Sequence, residues 1–146
     1  MTSICYLRKI MSQIISPPTA KLLEEKNFAF VATLMKDGSP QITPVWIDFE
    51  KDTNTILINT AEGRIKHKNV SQDPRIAISV VNHSNPYEMV TIRGNVIEQI
   101  TKDAAEHTDK LAKKYLGLDK YPYHSPKEKR VMLKIKPERI FHQQGS

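Results

Sequence analysis

Thr55-Ile-Leu-Ile-Asn-Thr-Ala-Glu-Gly-Arg-Ile-Lys-His-Lys-Asn69 changes period partway along. Its first five residues read as a strand. After Gly63 the pattern turns helical and runs to Asp73-Pro74, where proline stops it. Arg64, Lys66, His67 and Lys68 therefore crowd the start of a short helix. The amide dipole already places partial positive charge at that end, so cations there are disfavoured unless an anion faces them. Gly63 lets backbone approach such an anion, and the Thr60 hydroxyl can donate to it. The stretch supports two readings. One is a phosphate site at a strand-to-helix turn; the other is a solvated basic face whose helix is capped by Glu62.

Outward from this segment, strand signals dominate. Phe28–Met35 is rich in aromatic and branched residues, and Lys36-Asp-Gly-Ser39 is a turn leading to a second strand over Gln41–Phe49. Arg75–Val81 alternates as a fourth strand. Tyr87–Ile100 forms a fifth, with a bulge or bend expected at Gly94. Arg130–Lys136 is the sixth, with residues 138–141 as a possible continuation. Helices are expected after the Ser16-Pro17 cap and over Lys102–Leu116, the latter lined by Ala105, Leu111, Ala112 and Tyr115 and ended by Gly117. Antiparallel strands with short turns and a few small helices predict a mainly β chain, a small closed or partly open barrel. Residues 1–15 are expected to form an extended or disordered leader, with Met11 a candidate start, and residues 16–146 a single domain.

The chain has 146 residues, 39% hydrophobic and 26% charged, as expected for one globular domain. No apolar run approaches the ~20 residues of a membrane span, and no secretory signal opens the chain. Cys5 is the single cysteine, so no disulfide framework or cysteine metal site is expected, and a cytoplasmic location is the default expectation. Net charge is +6, unevenly spread. Residues 1–101 hold 11 Lys/Arg against 10 Asp/Glu, whereas residues 102–146 hold 11 against 6. That imbalance predicts either an anionic partner or a lysine-rich surface.

No phosphate-binding glycine loop, G-x-G-x-x-G or G-x-S-x-G is present. His67, His83, His107, His124 and His142 never pair at helical spacing, so no metal ligand set is expected and each reads as a surface or capping residue. The interleaved aromatic and basic pattern of single-strand platforms is missing, which argues against nucleic acid as a partner. No side-chain catalytic group is assigned; any enzyme chemistry is expected to come from a cofactor.

Four ordered blocks carry a resemblance: Asp37–Asp48, Asn59–Asn69, Asp73–Ser79 and Arg93–Val96. Together they resemble the flavin/deazaflavin split-barrel oxidoreductases of the pyridoxamine 5′-phosphate oxidase-like superfamily, most closely its deazaflavin-dependent branch. The likeness runs from about Leu22 to Ile140. It implies a six-stranded antiparallel split β-barrel of the FMN-binding type, acting as a homodimer with cofactor grooves between subunits. It places cofactor phosphate on Arg64 and Lys66, with Thr60 beside them and Asn69 bracing the loop. Gln41, Thr43, Pro44, Val45 and Trp46 would line the tricyclic ring, although Trp46 also suits core or interface packing.

The implied activity is hydride transfer between coenzyme F420 and a small conjugated or heterocyclic substrate. Alternatives are an FMN-dependent reductase or oxidase and a non-catalytic carrier of flavin, haem or tetrapyrrole. The basic second half favours F420, whose oligoglutamate is a polyanion. Pyridoxamine-phosphate oxidases themselves carry a C-terminal arginine-x-histidine pair, and only Phe141-His-Gln-Gln-Gly follows the last strand here. The vitamin B6 reaction is therefore not expected. The proline-bearing loop Leu118–Lys129, with Tyr121, Tyr123 and His124, is expected to be a lid or a structural wrap.

Overall fold

A computed structural model describes residues 12–145; Cys5 and Met11 lie outside the described residues. The elements are α1 (Pro17–Glu24), β1 (Ala29–Leu34), β2 (Pro40–Val45), β3 (Asp48–Glu50), β4 (Thr55–Ala61), α2 (Ile65–Gln72), β5 (Arg75–Val81), β6 (Glu88–Ile100), α3 (Ala104–Leu116) and β7 (Arg130–Gln144). Every strand pairing is antiparallel, and the order across the sheet is β2-β1-β5-β6-β7-β4-β3.

β2 and β3 are opposite edges of one sheet, yet only Trp46 and Ile47 separate them. Three backbone steps reach at most roughly 10 Å, so the sheet must curl until its edges almost meet. The result is a split barrel, open between β2 and β3. This also explains seven strands where six are expected. The stretch read as one strand over 41–49 pairs with β1 through its first half and with β4 through its second. Its break is buried: Ile47 is fully enclosed, Tyr115 Oη accepts its N–H at 3.1 Å, and Lys114 Nζ donates to its carbonyl at 2.8 Å.

Alternation fills the barrel. Val31 on β1, Ile56 and Ile58 on β4, Ile78 and Val80 on β5, Val90 and Ile92 on β6, and Leu133 and Ile135 on β7 all point inward and are at most 1% exposed. α1 closes one end with Leu22 and Leu23. Ser16 and Pro17 start it as expected, although the Ser16 hydroxyl donates to Thr19 Oγ1 and accepts no backbone N–H. Gln13 and Ile15 already hydrogen-bond to the barrel, the amide of Gln13 to Pro137 O and that of Ile15 to Asn54 Oδ1.

β6 shifts register at Arg93/Gly94, where the bulge is expected. A Cβ on Gly94 would lie 2.3 Å from Lys136 O, so β7 backbone occupies the space a side chain needs. α3 buries Ala104, His107, Thr108, Leu111, Ala112 and Tyr115, leaving the expected Ala105 on its outer side. His107 is thus a core residue of this helix, not a surface or capping one. Among the described residues no helix is long and apolar enough to cross a membrane.

Candidate functional site

β4 ends at Ala61, the chain turns through Gly63 at φ 86°, and α2 begins at Ile65 with Arg64 as its N-cap. No side chain caps the first turn. Glu62 does not serve as the cap: its amide donates to Lys129 O, and its carboxylate lies 3.7 Å from Lys129 Nζ. His67 folds back instead, its Nδ1 accepting the Gly63 N–H at 3.1 Å.

The cations at this turn are unequal. Arg64 meets the Glu128 carboxylate at 2.5 Å, and Glu128 also lies 3.0 Å from Arg130. The protein thus supplies one anion of its own, but on an exposed pair that is worth little in water. Lys66 has no carboxylate partner among the described residues; its Nζ donates to Thr43 Oγ1 at 3.1 Å. Burial pushes its ammonium below the usual lysine range, and the neighbouring Arg64 charge adds to that. A half-buried cation beside a second cation is a site that an anion stabilises.

A pocket of about 290 Å³ opens here. Pro44, Val45, Trp46, Thr60, Arg64 and Lys66 line it, together with Phe28, Asn59, Thr108, Leu111, Tyr121 and Arg130. Trp46 stacks on Tyr115 at 5.3 Å with planes 4° apart, and Tyr121 meets its edge at 5.9 Å. The pocket lining therefore combines cationic and aromatic groups, with Arg130 5.2 Å from the centre of the Tyr121 ring. Neither carboxylate nor imidazole lines it among the described residues, so it offers anchoring and a flat wall rather than a general acid or base.

The other expected residues stand close by. Thr43 reaches the pocket through Lys66, whereas Gln41 lies farther along β2, opposite Thr33. Asn69 is 5% exposed and braces α2 on β1, its Nδ2 donating to Thr33 Oγ1 at 3.0 Å. β2 alternates, so Gln41, Thr43 and Val45 share one face while Pro40, Ile42 and Pro44 share the other. A larger groove of about 650 Å³ lies on the outer sheet face with Arg75, Arg93 and Arg139. None of the expected site residues lines it.

The loop before β7 is tied down on this side. Tyr121 N–H and His124 Nε2 both reach Asp109 Oδ1, at 2.8 and 2.7 Å, and Tyr121 forms pocket wall. Part of the charge of residues 102–146 is paired within the fold. Lys110, Lys113, Lys129, Arg130 and Lys134 pair with Asp48, Asp119, Glu62, Glu128 and Glu50. An oligoglutamate chain would have to compete with these pairs.

Behind the pocket lies a cluster that sequence spacing does not reveal. His107 Nε2 is 3.0 Å from Asp48 Oδ2, and Lys110 Nζ is 3.1 Å from the same oxygen. Burial works against the charge of Asp48. Hydrogen bonds from His107 and the Phe49 amide, with the Lys110 ammonium, outweigh it and hold the carboxyl at about 2. Two buried polar atoms on pocket-lining residues have no partner among the described residues, Asn59 Oδ1 and Thr60 Oγ1. Unpaired buried oxygens beside an unneutralised lysine suit a ligand bearing phosphate and hydroxyl groups.

Residues 15–144 match the family model described as pyridoxamine 5′-phosphate oxidase. The solved structure of an F420 reductase is similar over 83% of this chain and 94% of that one, at 25% identity and TM-score 0.72. HupZ of Group A Streptococcus is similar in fold over 91% and 99%, at 23% identity and TM-score 0.65. A putative pyridoxamine 5′-phosphate oxidase from Listeria innocua shares the fold over 84% and 92%, at 15% identity and TM-score 0.60.

Proposed function

The chain belongs to the pyridoxamine 5′-phosphate oxidase family, and from that premise we propose that it is an oxidoreductase using coenzyme F420, with a small conjugated or heterocyclic molecule as substrate. The observation that carries the reading is Lys66. It is a half-buried cation without a carboxylate partner among the described residues, in a pocket that Trp46 and Tyr121 also line. In this reading Arg64 and Lys66 hold cofactor phosphate, Thr60 Oγ1 donates to it, and Asn69 keeps α2 in place. Gln41, Thr43, Pro44, Val45 and Trp46 border the ring. When bound, the deazaflavin supplies two-electron hydride chemistry. The protein orients it and excludes water. The choice of F420 over FMN is supported by the F420 reductase likeness.

A second copy of the chain completes the groove. β2 is a sheet edge. The outer face beside it carries Phe30, Ile42 and Phe141, which are 45%, 63% and 63% exposed. Register places Ile42 opposite Ala32, Phe30 opposite Pro44 and Phe141 opposite Thr91, so these side chains share one surface. Ser79 and Thr91 lie between Phe30 and Phe141 in that row. A sheet face carrying several large exposed apolar side chains is the kind of surface a homodimer covers.

Titration of the purified protein with F420 and with FMN, followed by absorption and fluorescence, tests the cofactor. Sedimentation equilibrium tests the dimer. Tighter binding of F420 than FMN supports the reading, tighter FMN binding transfers it to an FMN-dependent reductase, and binding of neither removes it.

A further inference from the structure

The amide of Asn59 is held from behind by a buried relay. Its Nδ2 lies 2.8 Å from Ala104 O and 3.1 Å from His107 Nδ1. A carbonyl oxygen only accepts, so the atom facing Ala104 is the amide nitrogen. Its second hydrogen then points at His107 Nδ1, which must accept. That leaves the imidazole proton on Nε2, where Asp48 Oδ2 receives it at 3.0 Å. Asp48 is fixed in turn by the Phe49 amide at 2.8 Å and by Lys110. The His107 and Asp48 side chains are only 6% and 11% exposed. The consequence is that only the oxygen of the Asn59 amide is left outside the relay, and it is buried without a hydrogen-bond partner among the described residues.

Resting on the F420/flavin reading above, we infer that Asn59 reads the polyol segment of the cofactor, accepting a hydroxyl at Oδ1, and that Asp48 and His107 are positioning residues which hold the amide in that orientation. Asn59 immediately precedes Thr60, and both line the pocket that Arg64, Lys66 and Trp46 also line. A ligand with phosphate on Arg64 and Lys66 and its ring against Trp46 places neutral hydroxyls between the two. The fixed oxygen also repels anionic oxygen, so it keeps phosphate on the cations and sets the ligand's register. The relay removes the option of an amide flip, which would offer nitrogen instead.

The test compares two phosphate-free probes of whichever cofactor the wild type binds. One is the ring with its ribityl chain, riboflavin or 8-hydroxy-5-deazariboflavin. The other is the same ring bearing a methyl group in place of that chain. Asn59→Ala is expected to weaken the ribityl probe by about 3- to 10-fold, the worth of one neutral hydrogen bond, and to leave the methyl probe unchanged. Loss of both probes alike, or of neither, overturns the inference. If Asn59→Ala does not fold, Asn59→Ser carries the same comparison.

His107→Leu is expected to weaken the ribityl probe by a similar factor. His107→Gln, with a donor for Asp48 and an acceptor for Asn59, is expected to restore binding. The Asn59→Ala/His107→Leu double variant should bind no more weakly than Asn59→Ala, because the histidine acts through the amide. Additive losses would overturn the positioning role. A wild type that binds neither FMN nor F420 defeats the functional reading itself, a result distinct from any of these.

Discussion

Lys66 Nζ donates to Thr43 Oγ1 at 3.1 Å, joining the first turn of α2 to the sheet edge. The contact holds a cation in a place its charge does not favour, since burial and Arg64 both lower its proton affinity. A lysine whose folded proton affinity is lowered destabilises the free protein while charged, and that cost fades as pH rises through its lowered range. Lys66→Met should therefore weaken either cofactor by about 1–3 kcal/mol while leaving the thermal midpoint of the free protein unchanged or raised. Equilibrium titration and differential scanning calorimetry check the two halves.

Glu128 competes for the same anchor. Its carboxylate sits on Arg64 at 2.5 Å, where cofactor phosphate would bind. Glu128→Gln should tighten binding by about 2- to 5-fold at low salt, with the gain shrinking as salt is added. Weaker binding would mean that Glu128 helps to shape the site rather than fill it.

Asp48 makes stability acid-sensitive. Its folded carboxyl titrates at about 2 against an ordinary 3.8. The stabilisation is fully present above that ordinary value and is lost as pH falls from about 4 to 2. It amounts to about 2 kcal/mol for a group this buried. Urea unfolding of wild type and Asp48→Asn between pH 6 and pH 2 should show the difference between them narrowing towards pH 2.

Gly94→Ala tests the fold itself. The new methyl would meet Lys136 O at 2.3 Å, and that atom belongs to strand backbone which cannot rotate away. A loss of about 3 kcal/mol is expected from overpacking at the β6 bulge. Chemical denaturation measures it, and a neutral outcome would contradict the close approach of β6 and β7.

Much of the barrel is legible in local pattern. Arg75–Val81 alternates with one face fully buried, and Gly94 marks the register shift because nothing larger fits there. The proposed phosphate anchor can be read locally for a similar reason, since Thr60, Gly63, Arg64 and Lys66 lie within seven residues of one strand–turn–helix unit. Trp46-Ile47 is not legible as a break. Apolar residues continue through it, and only the need to cross between sheet edges divides the strand. The Asp48–His107–Asn59 relay is equally hidden. Its members come from β3, α3 and β4, and tertiary packing alone brings His107 to Asp48, 59 positions away. Tyr121, in the loop read as a lid or wrap, and Arg130, at the start of β7, join the pocket in the same way.

The central claim is that the Arg64–Lys66 turn anchors a phosphorylated flavin-type cofactor against Trp46. Titration of the Arg64→Ala/Lys66→Ala double variant with the wild type's preferred cofactor, and with the phosphate-free form of that cofactor, tests it most directly. The account predicts at least about a 30-fold loss for the phosphorylated form, from two charged hydrogen bonds, and little change for the phosphate-free one. Equal affinity of wild type and variant for the phosphorylated form would contradict it.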